Sequence, residues 1–270
     1  MPVVISCVNL KGGVGKTAIS VNTAAFFGKK GKKTLLIDLD PQTNATFSCM
    51  SVTDWQKHSR EHGTVANLLE LRGHTSADGE SLDPKDIIKK NAFRNVDLLP
   101  SHLDLVTIDL DMGGVTARET KLKRALAGVL TDYDVVVCDC PPNLTIPTQN
   151  ALALSSHYLV PVSPDYLSVL GVALLVGRIA KFGTDIQHDI LQAGIVLSRI
   201  GRPAVHRSEA VASLRSQFGA SVFTSQINER VAVSEAAQSQ KSIFQLADRP
   251  AANEFEAVAS ELAGKVGLVI

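Results

Sequence analysis

The chain has 270 residues, 45% of them hydrophobic and 20% charged, and its 27 Lys+Arg are balanced by 27 Asp+Glu. That length suits one large α/β domain or two small ones, and zero net charge argues against a protein that coats polyanions by bulk charge, leaving only a local basic face open. No secretory leader and no apolar run of about 18 residues is evident, so neither export nor a membrane span is expected. The four cysteines, Cys7, Cys49, Cys138 and Cys140, do not make a disulfide framework in a chain this long. They are expected to be reduced and buried, in a cytoplasmic protein.

Val3–Val8 is an apolar strand that feeds Asn9-Leu10-Lys11-Gly12-Gly13-Val14-Gly15-Lys16-Thr17, a glycine-rich turn opening a helix over 16–29. The strand starts so near Met1 that no N-terminal DNA-reading domain is expected. Gly28-Lys29-Lys30-Gly31-Lys32-Lys33 stops the helix and reads as a solvated cationic turn. Thr34–Ile37 is a short, continuously apolar run, as in a strand buried on both faces of a parallel sheet. It ends in Asp38-Leu39-Asp40-Pro41-Gln42.

Residues 51–95 are polar and rich in turn formers, with short helices expected around 65–71 and 84–90 and a loop over 73–79. His58 and His62 have i, i+4 spacing but no third ligand nearby, so exposed histidines are expected there rather than a metal site. Further strands are expected at 96–100, 133–139, 158–162, 190–197 and 222–223. Helices are expected at 117–130, 147–155, 166–182, 204–217 and 250–265. The alternation implies one domain over 1–270, a single doubly wound, mostly parallel sheet with helices on both faces.

Three strand ends carry chemistry. In the turn, small residues let the backbone bend so that successive N–H groups face an anion. Lys16 adds a point charge, and the Thr17 hydroxyl is a ligand for Mg²⁺. Asp139 closes the buried strand at 133–139, where a carboxylate is costly unless it meets a cation, and Mg²⁺ beside a triphosphate is the natural one. Asp38 is placed to order or deprotonate an attacking water. Ligands of doubly wound sheets bind outside the carboxyl ends of the strands, so all three converge on one site. A dinucleotide fingerprint fails: Gly13-Val14-Gly15-Lys16-Thr17-Ala18 lacks the third glycine.

The runs Lys11–Thr17, Leu36–Thr46 and Val137–Pro142, continued by Val160–Tyr166 with Gly171 and by Ile227–Ala236, resemble the ParA branch of the deviant Walker A P-loop ATPases. The similarity spans most of the chain and leaves 51–95 poorly matched. It implies an ATPase that takes ATP and Mg²⁺ and forms a homodimer in the ATP state. Lys11 matches the signature lysine that reaches the partner subunit's phosphates, in the manner of an arginine finger, which elsewhere contributes about 10³–10⁵ in rate. By the same resemblance Lys11, Lys16 and Asp38 are catalytic, and Lys11, Gly12, Gly13, Val14, Gly15, Lys16, Thr17 and Ala18 bind the nucleotide. Thr17, Asp38 and Asp139 form the metal side. Leu10 and Ala18 depart from the usual pattern without removing a ligand.

Such proteins bind double-stranded DNA without sequence preference. Between 199 and 241 six cations (Arg199, Arg202, Arg207, Arg215, Arg230, Lys241) outnumber three acids (Glu209, Glu229, Glu235). This is enough for weak, salt-sensitive phosphate binding with Kd of about 10⁻⁴–10⁻⁶ M per site. The resemblance implies partition of a plasmid or chromosome origin, or positioning of a protein body, on the nucleoid. A ParB-like or cargo-adaptor partner would stimulate hydrolysis. Two alternatives share the loop: a small-molecule ATP-dependent ligase or kinase, and a MinD-like membrane-associated ATPase. For the latter, residues 254–265 carry three acids and one lysine, the wrong sign for anionic lipid, so no membrane is expected.

Overall fold

The computed structural model describes residues 1–71, 82–165, 168–201 and 204–270. The expected loop at 73–79 lies outside them. Eight strands among the described residues form one sheet: β1 (Val3–Cys7), β2 (Thr34–Asp38), β3 (Lys89–Phe93), β4 (Val96–Leu99), β5 (Val135–Asp139), β6 (His157–Val162), β7 (Leu191–Ile200) and β8 (Val222–Asn228). Their order is β3-β4-β2-β5-β1-β6-β7-β8, and every pairing is parallel except β3 with β4. The helices of eight residues or more are α1 (Lys16–Lys29), α2 (Val52–Glu61), α3 (Ile146–Leu154), α4 (Ser168–Asp185), α5 (Val205–Phe218), α6 (Val231–Gln238) and α7 (Arg249–Lys265).

The apolar strands alternate between two cores. Val4, Leu35, Ile37, Val136 and Cys138 face one side with residues of α3, α4 and α5. Ile5, Leu36, Val135 and Val137 face the other, where α1, α6 and α7 pack. Burial on both faces explains why these strands read as unbroken apolar runs. All four cysteines are buried and unpaired, and Cys138 and Cys140 share one core, as the spacing predicted. Helix α7 buries Phe255, Val258 and Leu262. Its acids are engaged at the protein surface: Glu254 with Asn228 and Arg230, and Glu261 with Thr224 and Ser225.

The structure differs from the sequence expectation in several places. The single helix expected at 117–130 is broken into a 3₁₀ turn, Arg118–Thr120, and a short helix, Lys121–Ala125. The Asn150 amide inserts between two groups that a continuous helix would pair: it accepts the Leu122 N–H at 3.0 Å and donates to the Arg118 carbonyl at 2.9 Å. The helix from Pro84 stops at Ile87, and Lys89–Phe93 becomes an antiparallel edge strand, turned by Asn95 at φ 57°. Strand β8 runs on to Asn228. Helix α2, not expected, is capped by Ser51, whose Oγ accepts the Asp54 N–H, and is docked by Trp55 Nε1 on the Ser101 carbonyl. On the same helix His58 is buried, not exposed, with Nε2 2.8 Å from the Ile87 carbonyl oxygen.

Candidate functional site

Strands β2, β5 and β1 are neighbours, and their carboxyl ends deliver Asp38, Asp139 and the glycine-rich loop to one place. Asp38 and Asp139 stand opposite each other in the β2–β5 register. The loop turns through Gly13 and Gly15, at φ 72° and 84°, which a side chain would strain. Gly15 is the N-cap of α1, and no side chain caps that end. The uncapped N–H groups and the positive end of the helix dipole form an anion site.

Lys16 is 6% exposed, and its Nζ curls back to the Lys11 carbonyl at 3.0 Å. Burial pulls its amino group below the ordinary lysine range, against the attraction of Asp139. Asp139 is wholly buried; Oδ1 accepts from Ser20 Oγ at 3.0 Å, while Oδ2 has no partner. Burial pushes its carboxyl up to about 7, although hydrogen bonds from Thr17 and Ser20 oppose this. The orphaned oxygen and the Thr17 hydroxyl, which acts on the same carboxyl group, make an all-oxygen donor set, which fits Mg²⁺.

Asp38 is equally buried but fully engaged. Oδ2 accepts from Thr46 N at 2.8 Å and Thr46 Oγ1 at 2.7 Å, and Oδ1 from Asp40 N at 3.1 Å. Burial and the neighbouring Asp139 hold its carboxyl well above the usual range. No role was expected of Thr46; its place eight residues after Asp38, at the end of the run that matches the family pattern, was the available signal. Lys11 lies at the surface, its side chain 60% exposed and ion-paired with Asp165.

A cavity of about 800 Å³ opens from the loop. Gly12, Gly13, Gly15, Lys16, Thr17 and Ala18 line it, with Asp40 on one side and Arg199, Arg230 and Lys241 on another. The six cations expected to contact DNA are therefore divided. Arg199 lies on the loop and pairs with Glu229, and Arg230 is bound to Glu254 at 2.6 Å. Arg207 is near enough to Glu229 to lower its carboxyl, after Arg199. Arg215 points to the Phe223 carbonyl at the far end of β8. Arg202 lies outside the described residues.

The AAA domain family model matches residues 3–192. The chromosome-partitioning ATPase Soj of Thermus thermophilus is 33% identical over 97% of this chain and 96% of its own length. In fold, the chain is similar to Cyanothece McdA (TM-score 0.80, 18% identity, 97% of this chain and 100% of that one). It is also similar to the cobyrinic acid a,c-diamide synthase of Mycobacterium smegmatis, solved with an ATP analogue and magnesium (TM-score 0.77, 25% identity, 96% and 93%). No helix among the described residues is long and apolar enough to cross a membrane. With a relative this similar over nearly its whole length and a phosphate loop of the matching type, the chain belongs to the Soj/ParA family of chromosome-partitioning ATPases.

Proposed function

We propose that residues 1–270 act as one ATP-driven positioning domain that dimerises with ATP, binds DNA without sequence preference, and carries a cargo over the nucleoid in the cytoplasm. The observation that carries this reading is the convergence of the phosphate loop with two buried carboxylates at the ends of three adjacent strands. Lys16 and the N–H groups of Gly12–Ala18 hold the ATP phosphates. Thr17 and the free oxygen of Asp139 hold Mg²⁺, which would neutralise phosphate charge when bound. Asp38, its oxygens already oriented by Thr46 and Asp40, positions the attacking water instead of taking a metal.

Lys11 is the dimerising residue. Its bond to Asp165 is an exposed ion pair, of a kind worth about 0–1 kcal/mol. Such a contact is easily exchanged for a partner subunit's triphosphate, so the lysine is available to act across the interface. A ParB-like or adaptor protein on the cargo then stimulates hydrolysis and release.

The likeness to cobyrinic acid a,c-diamide synthase supports a second reading, a small-molecule ATP-dependent ligase. One experiment separates them: a gel shift on random-sequence duplex DNA with ATP, ADP or no nucleotide, each with Mg²⁺. ATP-dependent retardation is the expected result. Its absence in all three lanes would favour the ligase.

A further inference from the structure

A loop whose N–H groups converge on an anion must turn its carbonyls away, and those need donors of their own. Here the end of β7 supplies them. Ser198 Oγ, almost fully buried, donates to the Val14 carbonyl at 2.6 Å, and Arg199 Nη1 donates to the Gly13 carbonyl at 2.7 Å. The Arg199 side chain lies along the loop, so that a Cβ at Gly15 would sit 3.7 Å from its Cγ and one at Gly13 3.6 Å from its Nη1. Its second amino group is held by Glu229, at the end of the next strand, at 2.7 Å. Arg199 itself has φ 51°, a left-handed conformation that a non-glycine residue keeps only when its surroundings enforce it.

We infer that Ser198 and Arg199 are positioning residues of the nucleotide site: they fix the two outward carbonyls, and so hold the phosphate-binding N–H groups in place before the ligand arrives. This inference rests on the ATP reading above. It gives Arg199, which sequence alone grouped with DNA contacts, a role within its own subunit. The guanidinium adds positive charge behind the loop, and Glu229 limits how far it can swing. Preorganisation of this kind strengthens binding by removing an ordering cost, and it acts on the nest common to ADP and ATP.

The test is calorimetric titration of ADP and of a non-hydrolysable ATP analogue, with Mg²⁺, into wild type and the variants Arg199→Met, Arg199→Lys, Ser198→Ala and Lys16→Ala. Arg199→Met should weaken both nucleotides by the same factor, about three- to tenfold, as expected for one hydrogen bond. Arg199→Lys, which keeps a donor and the charge, should recover part of the loss, a rescue that a merely structural role would not show. Ser198→Ala should weaken both by a similar factor, and it carries the test if Arg199→Met does not fold. At saturating ATP, Arg199→Met should bind random duplex DNA as wild type does. Wild-type nucleotide affinity in both Arg199→Met and Ser198→Ala would overturn the inference, as would loss of DNA binding by Arg199→Met at saturating ATP. If Lys16→Ala alone loses nucleotide, only this inference fails; if wild type itself binds none, the ATP reading fails.

Discussion

Helix α1 carries lysines at both ends, and the two ends obey different physics. Lys16, its first residue, is buried and feels the charges of Asp139 and Asp40. Lys29, its last, has a side chain 52% exposed and shares Glu256 with Lys30 at 3.4–3.6 Å. The helix is about 21 Å long, so one secondary-structure element joins a desolvated charge cluster to a solvated one. A buried charge is kept only where something compensates it, and at the first end that compensation is incomplete: one Asp139 oxygen has no partner. At the other end water does the work, and the charges carry little energy.

The largest effect should come from breaking the buried end. Lys16→Ala should cost about 2–5 kcal/mol of ATP affinity, the usual result of truncating one member of a buried charge pair. Calorimetry would measure it, and unchanged affinity would contradict the site. At the basic end the backbone matters more than the charge. A Cβ at Gly28 would lie 2.2 Å from the Arg94 carbonyl oxygen and 2.6 Å from Val96 Cγ2, so Gly28→Ala forces the turns at 28–33 and 91–95 apart. We expect about 1–3 kcal/mol of lost stability, read as a lower urea midpoint. Lys33→Ala in the same turn should change stability, read from that midpoint, by no more than about 0.5 kcal/mol. A larger loss there would mean that the basic end is not merely solvated.

The same contrast explains what could be read from the sequence. The site was legible because strand ends and a glycine-rich turn place it through local pattern: Gly13, Gly15, Lys16, Asp38 and Asp139 sit where their motifs put them. Strand Val135–Asp139 was legible because burial on both faces leaves an unbroken apolar run. The helix at 117–130 was misread because its break is made by Asn150, far along the chain, taking hydrogen bonds that local propensity assigns to the helix. Strand Lys89–Phe93 was missed because an edge strand need not be apolar, and three of its five residues are exposed. The contacts of Arg199 were not legible because charge counting along a sequence does not register what a side chain touches. Its bond to Gly13 spans 186 residues.

In the proposed mechanism the buried cluster at the start of α1 binds ATP, and Lys11, exposed on the loop and reaching across to a second protomer's phosphates, turns that binding into dimerisation. The most direct measurement is light scattering of Asp38→Ala with ATP and Mg²⁺, against the same protein with ADP. If Asp38 positions the attacking water as proposed, its loss should leave binding intact and slow hydrolysis, so the ATP sample should show twice the protomer mass of 28.8 kDa and the ADP sample a single protomer. A protomer mass in saturating ATP would contradict the account.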